Sequence, residues 1–259
     1  MKVTLLQKRG NVEEKEFRTE LDRAIQILIG RLSATATFNS FTQQGWTIVN
    51  VDGADAEVVV ELLSQTFGLA TTDVAKVELH GNYRGVVRSL SSSGLFVDIG
   101  IEHPQPMFVN VRLSSLQAQL ADGIQSTSNR TIAQNYCIFP EMPSSIRVTS
   151  STPNEIEGWL SDSQISLFSN WITSGLERIQ VLSCLPSQLE SAIRKTQLER
   201  DIISAEKLSI TVQSMVCKIG TDAIGLIPRV GSILKNSQLR PFIPRRIEAE
   251  CRVWQNIVY

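Results

Sequence analysis

The stretch Gly81–Gly100, GNYRGVVRSLSSSGLFVDIG, decides how the middle of this 259-residue chain is read. Tyr83 to Leu90 reads as a strand, the serines at 91–93 as a loop tip, and Gly94 to Ile99 as a second strand. In the second strand Phe96 and Asp98 share one face and Val97 and Ile99 the other, because side chains alternate along extended backbone. Valine and isoleucine suit an interior, which turns Phe96 outward. Gly94 permits the turn or bulge where a strand bends round a barrel. Pro106 to Val111 reads as a further strand, Leu113 to Leu120 as a short helix and Ile132 to Phe139 as another strand. The run FPEMPSS then marks a boundary near residue 143.

Upstream, residues 1–80 read strand, helix, strand, strand, helix, strand. The first helix has Asn11 as its cap and buries a stripe that includes Phe17, Leu21, Ile25 and Ile29. Asp55 caps the second helix, Gly68 ends it, and Ala75 to Leu79 supplies a closing strand. Asp52, Asp55 and Glu57 precede that helix, where carboxylates oppose the positive dipole end, so they read as capping residues and not as a metal site. This order suits a ferredoxin-like split β-α-β unit.

Downstream, residues 143–209 read as a second α/β unit. Ser145 to Thr149 is a strand. Thr152-Pro153-Asn154-Glu155 opens a helix that carries Trp159 and Trp171 on one face. Arg178 to Cys184 and Asp201 to Leu208 are strands around a helix from Pro186 to Gln197. Residues 210–259 read as a small basic β unit, with strands at Ile210 to Ile219 and Ala223 to Pro228. The fold class is therefore α+β.

The net charge of −1 conceals segregation. Residues 1–80 and 81–177 each carry a balance of −3, whereas residues 178–246 carry +6. Lys218, Arg229, Lys235, Arg240, Arg245 and Arg246 form the late basic group. If they converge they make a phosphate-facing patch; if they splay they protect sheet edges. No run approaches the ~20 apolar residues of a membrane span, and the first ten residues lack the apolar segment of a signal peptide. A cytoplasmic location is expected.

The residues that catalysis needs are sparse. The two histidines, His80 and His103, lie in no metal-binding spacing. His80 reads as a structural histidine at a junction. The chain contains no phosphate loop, dinucleotide fingerprint or nucleophile elbow. Cys137, Cys184, Cys217 and Cys251 are scattered and read as buried free thiols. No enzyme activity, metal or cofactor is expected.

GNYRGVVRSLSSSGLFVDIG followed by MFVNVRLSSL resembles the S1 RNA-binding domain, a five-stranded OB barrel, over about residues 81–142. The resemblance implies that Phe96 stacks a base. Arg84 and Arg88 on the neighbouring strand would meet phosphates. Asn110 stands where S1 domains often place a histidine. A second reading packs Phe96 against the flanking α/β unit. GWTIVNVDGADAEVVVELL, GLFVDIGIEHP, LSSLQAQLADG and VCKIGTDAIGLIPRVGSIL resemble the archaeal family known as domain of unknown function 2110. That resemblance implies an archaeal cytoplasm and brings no catalytic residue. The expected function is non-enzymatic binding of single-stranded or structured RNA, in association with ribosomes or RNA polymerase. The alternative is a protein-interaction module with no nucleic-acid role.

Overall fold

Alternating and helical spacings resolve into three sheet systems in the computed structural model, which describes residues 1–251. The chain is mixed α+β, with eight α-helices and a closed five-stranded barrel at its middle among the described residues. The first system comprises β1 (Lys2–Leu5), α1 (Glu14–Ile29), β2 (Ala34–Phe41), β3 (Thr47–Gly53) and α2 (Ala56–Phe67). Its strands are antiparallel in the order β1-β3-β2. Helix α1 buries Phe17, Leu21, Ile25 and Ile29, a spacing of four that draws one stripe down the helix. Val59, Leu63 and Phe67 of α2 join them over Val49 and Val51.

Three local expectations change here. Asn11 does not cap α1, which follows Glu13 without a side-chain cap. Asp55 sits at the start of α2, but its carboxylate accepts the Ser33 N–H at 2.7 Å and ties β2 to the helix. No closing strand forms over Ala75–Leu79. The open edge of β1 is met by residues 68–70: Leu6 N–H donates to the Gly68 carbonyl at 3.0 Å, and Ala70 N–H to the Thr4 carbonyl at 2.9 Å. Asp73 accepts the Ala75 N–H and turns Val74–Lys76 into a 3-10 turn, a side-chain bond that competes with strand formation.

The barrel comprises β4 (Asn82–Ser91), β5 (Gly94–Ile101), β6 (Met107–Arg112), β7 (Pro143–Ser151) and β8 (Ile156–Leu160), closed in the order β4-β5-β6-β8-β7. Only the β6–β8 pair is parallel. Val87, Val97, Ile99, Val109, Ile146 and Ile156 fill the interior. Two helices between β6 and β7, α3 (Leu113–Leu120) and α4 (Asn129–Asn135), pack Leu116, Ile132 and Tyr136 into the same core. Closure therefore needs two strands beyond the boundary expected at residue 142.

The helix expected from Thr152 is instead a turn, in which Thr152 and Glu155 bond one another, followed by β8. The branched Ile156 and pairing with β6 and β7 favour strand here, and Ser161 caps the helix that follows. The strand expected at Ile132–Phe139 is instead the end of α4 and the turn after it, because Ser128 accepts the Thr131 N–H and starts the helix.

Helix α5 (Asp162–Thr173) leads into the third system: β9 (Arg178–Leu182), α6 (Pro186–Lys195), β10 (Ile202–Lys207), β11 (Val212–Cys217), α7 (Ala223–Ile233) and β12 (Gln238–Phe242), then α8 (Pro244–Cys251). Its four strands are antiparallel in the order β10-β11-β9-β12. The third system thus cuts across the expected division at residue 209, and the last eight residues of the expected basic unit lie outside the described residues. The strand expected at Ala223–Pro228 is α7. Asp222 accepts the Ile224 N–H as its cap, and Ala223, Leu226 and Val230 bury one face against the sheet despite Pro228. Packing overrides the proline penalty.

Gly94 opens β5 at φ 153°, and a Cβ there would overlap the Val111 carbonyl oxygen. Gly94→Ala is expected to destabilise the protein by about 2–3 kcal/mol, through strain at a position where neither strand can retreat. Chemical denaturation checks this; an unchanged midpoint would contradict it. All four cysteines are buried free thiols. Burial pushes the Cys184 thiol up to about 12 and Cys217 to about 11, and raises Cys137 and Cys251 as well. Native protein at pH 8 is expected to resist iodoacetamide at all four positions and to react at all four once unfolded. Intact mass reads the count, and prompt native labelling would contradict the packing.

Candidate nucleic-acid interface

Paired residues in adjacent strands point to the same side of a sheet. The register therefore sets Ser89 of β4, Phe96 of β5, Asn110 of β6 and Glu157 of β8 in one row across the outside of the barrel. Phe96 is half-buried. Phe108, two residues before Asn110, is half-exposed on the same side. The β4 bulge between Val87 and Ser89 releases Arg88 from the ladder, and its guanidinium stands 5.9 Å from the centroid of the Phe108 ring. Trp159, two residues past Glu157 on β8, is 52% exposed. The helix expected from Thr152 would set it on one face with Trp171, but Trp171 is buried on α5 while Trp159 faces water from the barrel. The outer surface thus carries three accessible aromatic rings on three strands, two more than the sequence reading named. The signal for Phe108 and Trp159 was their place in M-F-V-N-V-R and I-E-G-W-L, which alternate once both are read as strands.

Cations around this surface are few. Arg88 is exposed, and with Lys8 and Arg9 it lines a groove of about 410 Å³ between the first system and the barrel, where Glu141 is the acid. Arg112 pairs with Glu157. Arg84 reaches the other way: its guanidinium donates to the Gln65 carbonyl at 2.7 Å, in the last turn of α2. It joins the barrel to the first system and is not aimed at the aromatic row.

Asp98 makes the stronger joint. Its carboxylate is 1% exposed and accepts from Lys8 Nζ at 2.7 Å, Trp46 Nε1 at 3.3 Å and the Gly100 N–H at 2.9 Å. Lys8 Nζ also lies 4.0 Å over the Trp46 ring. The outward side of β5 is thus divided. Its Gly94 end leaves Phe96 accessible, while its Ile101 end is sealed by the first system.

The late basic residues part company. Arg240 and Arg246 line a cleft of about 790 Å³ together with Arg130, at the tip of the β4–β5 hairpin. Arg240 stacks on Phe139 with 4.8 Å between guanidinium and ring centroid. Lys218, Arg229, Lys235 and Arg245 are exposed but do not line that cleft. Arg229 donates to the Thr196 carbonyl at 2.6 Å in the turn after α6. Among the described residues no group of three or more histidine, cysteine or acidic side chains could hold a metal ion, and no helix is long and apolar enough to cross a membrane.

No curated protein matches the chain. Two family models do. Residues 77–172 match the DUF2110 central domain and residues 176–240 the DUF2110 C-terminal domain. The first match takes in the barrel and α5, the second the four-stranded sheet, and they meet between α5 and β9. The chain therefore carries the central and C-terminal domains of the DUF2110 family.

Proposed function

We propose that this protein binds single-stranded RNA without acting on it chemically, in the cytoplasm and in association with ribosomes or the transcription machinery. The succession β-β-β-α-α-β-β, closed as β4-β5-β6-β8-β7, has the strand order of an OB barrel, whose second and third strands form the usual oligonucleotide face. Here those strands are β5 and β6. The observation that carries the reading is the pair Phe96 and Phe108 on that face with Arg88 poised over Phe108. Aromatic rings stack unpaired bases whatever their identity, and a guanidinium beside them takes the phosphate. Asn110, between the rings, offers an amide for a base edge. Photo-cross-linking to a 4-thiouridine oligoribonucleotide tests the placement. Cross-links are expected in the peptides spanning 94–112; cross-links confined to the first system would overturn it.

A second reading, docking of a protein partner, is favoured by one surface. Ile203 on the edge strand β10 and Ile219 and Ile224 beside the turn after β11 are exposed, Ile219 at 90%. An open strand edge beside exposed isoleucines suits association. A protein partner that survives nuclease treatment and is lost on Ile219→Lys would support this reading.

A further inference from the structure

The cleft at the tip of the β4–β5 hairpin is walled by two kinds of surface. Its cationic lining is Arg130, Arg240 and Arg246, with no acid among the lining residues. Its apolar lining is Leu90, Leu113, Ala133, Phe139 and Pro241. Its volume, about 790 Å³, is that of a small-ligand site. Arg246 already faces the Glu250 carboxylate at 4.0 Å, yet three guanidiniums stand around the cavity against that one acid, and a planar guanidinium grips phosphate oxygens in pairs. Inorganic phosphate alone would leave the apolar wall unused. Arg240 and Phe139 already stack, which presents a flat, delocalised plane to a second flat group.

The cleft is also built from distant segments. Ser91 and Ser92 come from the hairpin, Ser128 and Arg130 from the start of α4, Arg240 from β12 and Arg246 from α8. Asn129 holds the hairpin in place: its Nδ2 donates to the carbonyls of Ser91 at 2.6 Å and Gly94 at 2.8 Å. Those two bonds fix the amide, leaving its buried Oδ1 without a partner in the wall of the cleft.

We infer that this cleft binds a nucleoside monophosphate group, with phosphate on the arginines and base against Phe139 and the aliphatic wall. The group belongs either to a free nucleotide or to the phosphorylated end of an RNA strand. The inference stands apart from the barrel face, because Leu90 and Leu95 pair on the inward side of the hairpin, whereas Phe96 faces out.

Isothermal titration of the full chain with AMP, with inorganic phosphate, and with one pentaribonucleotide bearing either a 5′-phosphate or a 5′-hydroxyl tests it. AMP is expected to bind with a dissociation constant below about 1 mM. The Arg130→Gln/Arg246→Gln double variant, altered at exposed positions, is expected to weaken AMP binding by about tenfold or more, the scale of lost charged hydrogen bonds. Phe96→Ala should leave AMP binding unchanged. If only the 5′-phosphorylated oligonucleotide gains affinity over its hydroxyl twin, and the gain is lost in the double variant, the source is a strand end and the inference holds. Phosphate binding as tightly as AMP would overturn it. Phe96-sensitive RNA binding with no response to AMP or to a terminal phosphate would overturn it too, while leaving the barrel face as the RNA site.

Discussion

Replacing Asp98 by alanine is expected to remove about 3–5 kcal/mol of stability, the cost of leaving a buried charge without its partner. The Lys8 side chain is only 17% exposed and would keep its ammonium beside the Trp46 ring with no carboxylate opposite. The Trp46 N–H and the Gly100 N–H would lose their acceptor as well. Each unmet buried donor costs about 1–3 kcal/mol on its own, so several kilocalories in total is the natural scale. Asp98→Asn should fall between wild type and alanine, since the amide still accepts one bond but no longer balances the ammonium. The informative control is the double replacement Lys8→Met/Asp98→Leu, which removes both charges and fills the volume. It is expected to recover most of the loss, because an apolar pair can match a buried ion pair in stability. Urea unfolding followed by tryptophan fluorescence reads the effect, as Trp46 lies in the joint. An Asp98→Ala protein within about 0.5 kcal/mol of wild type would show that the joint contributes nothing beyond an ordinary surface pair.

Phe96→Ala is expected to weaken single-stranded RNA binding by roughly 5- to 150-fold, the equivalent of about 1–3 kcal/mol for one stacked base. The ring is half-exposed and makes little of the barrel core, so the unfolding midpoint should move far less than for Asp98→Ala. Phe96→Tyr should bind nearly as wild type, because stacking needs a π face and not a particular ring. Phe108→Ala should act similarly, and Phe96→Ala/Phe108→Ala should abolish measurable binding at micromolar protein. Arg88→Ala should weaken affinity more modestly and flatten its salt dependence, since it removes one phosphate contact. Loss of affinity with retained stability separates an RNA-stacking ring from one that merely packs. Equal affinity in wild type and Phe96→Ala would return the ring to a packing role.

These expectations rest on features of unequal visibility in the sequence. The β4–β5 hairpin was legible because Val97, Ile99 and the glycines leave only one way to turn the strand. The stripes Phe17–Ile29 and Val59–Phe67 were legible because a strand would put Thr19, Arg23, Glu61 and Gln65 on the same face as the apolar residues, whereas a helix leaves them in water. What failed was local chemistry overridden by distant contacts. Thr152-Pro-Asn-Glu carries the residues of a helix start, but β8 must pair with β6 and β7 to close the barrel, and that pairing decides the segment. Ala223–Ile233 carries two glycines and a proline that argue against a helix, yet its apolar face fits the four-stranded sheet. The division of labour within the basic residues was invisible for the same reason. Arg84 and Arg229 bind carbonyls of other elements, Arg240 stacks on Phe139, and Arg130 enters the cleft from a segment that read as unremarkable. Asp98 was placed on the correct face but without its partners, since Lys8 and Trp46 lie far away in the chain.

The barrel-face account meets its most direct test in a fluorescence anisotropy titration of the intact protein with a labelled single-stranded oligoribonucleotide at two salt concentrations. With one or two phosphates engaged, by Arg88 and Arg9, affinity is expected to fall by about 3- to 7-fold between 50 and 200 mM salt, with saturable micromolar binding at the lower. No binding at micromolar protein in low salt, or an affinity indifferent to salt, would contradict RNA recognition by this face.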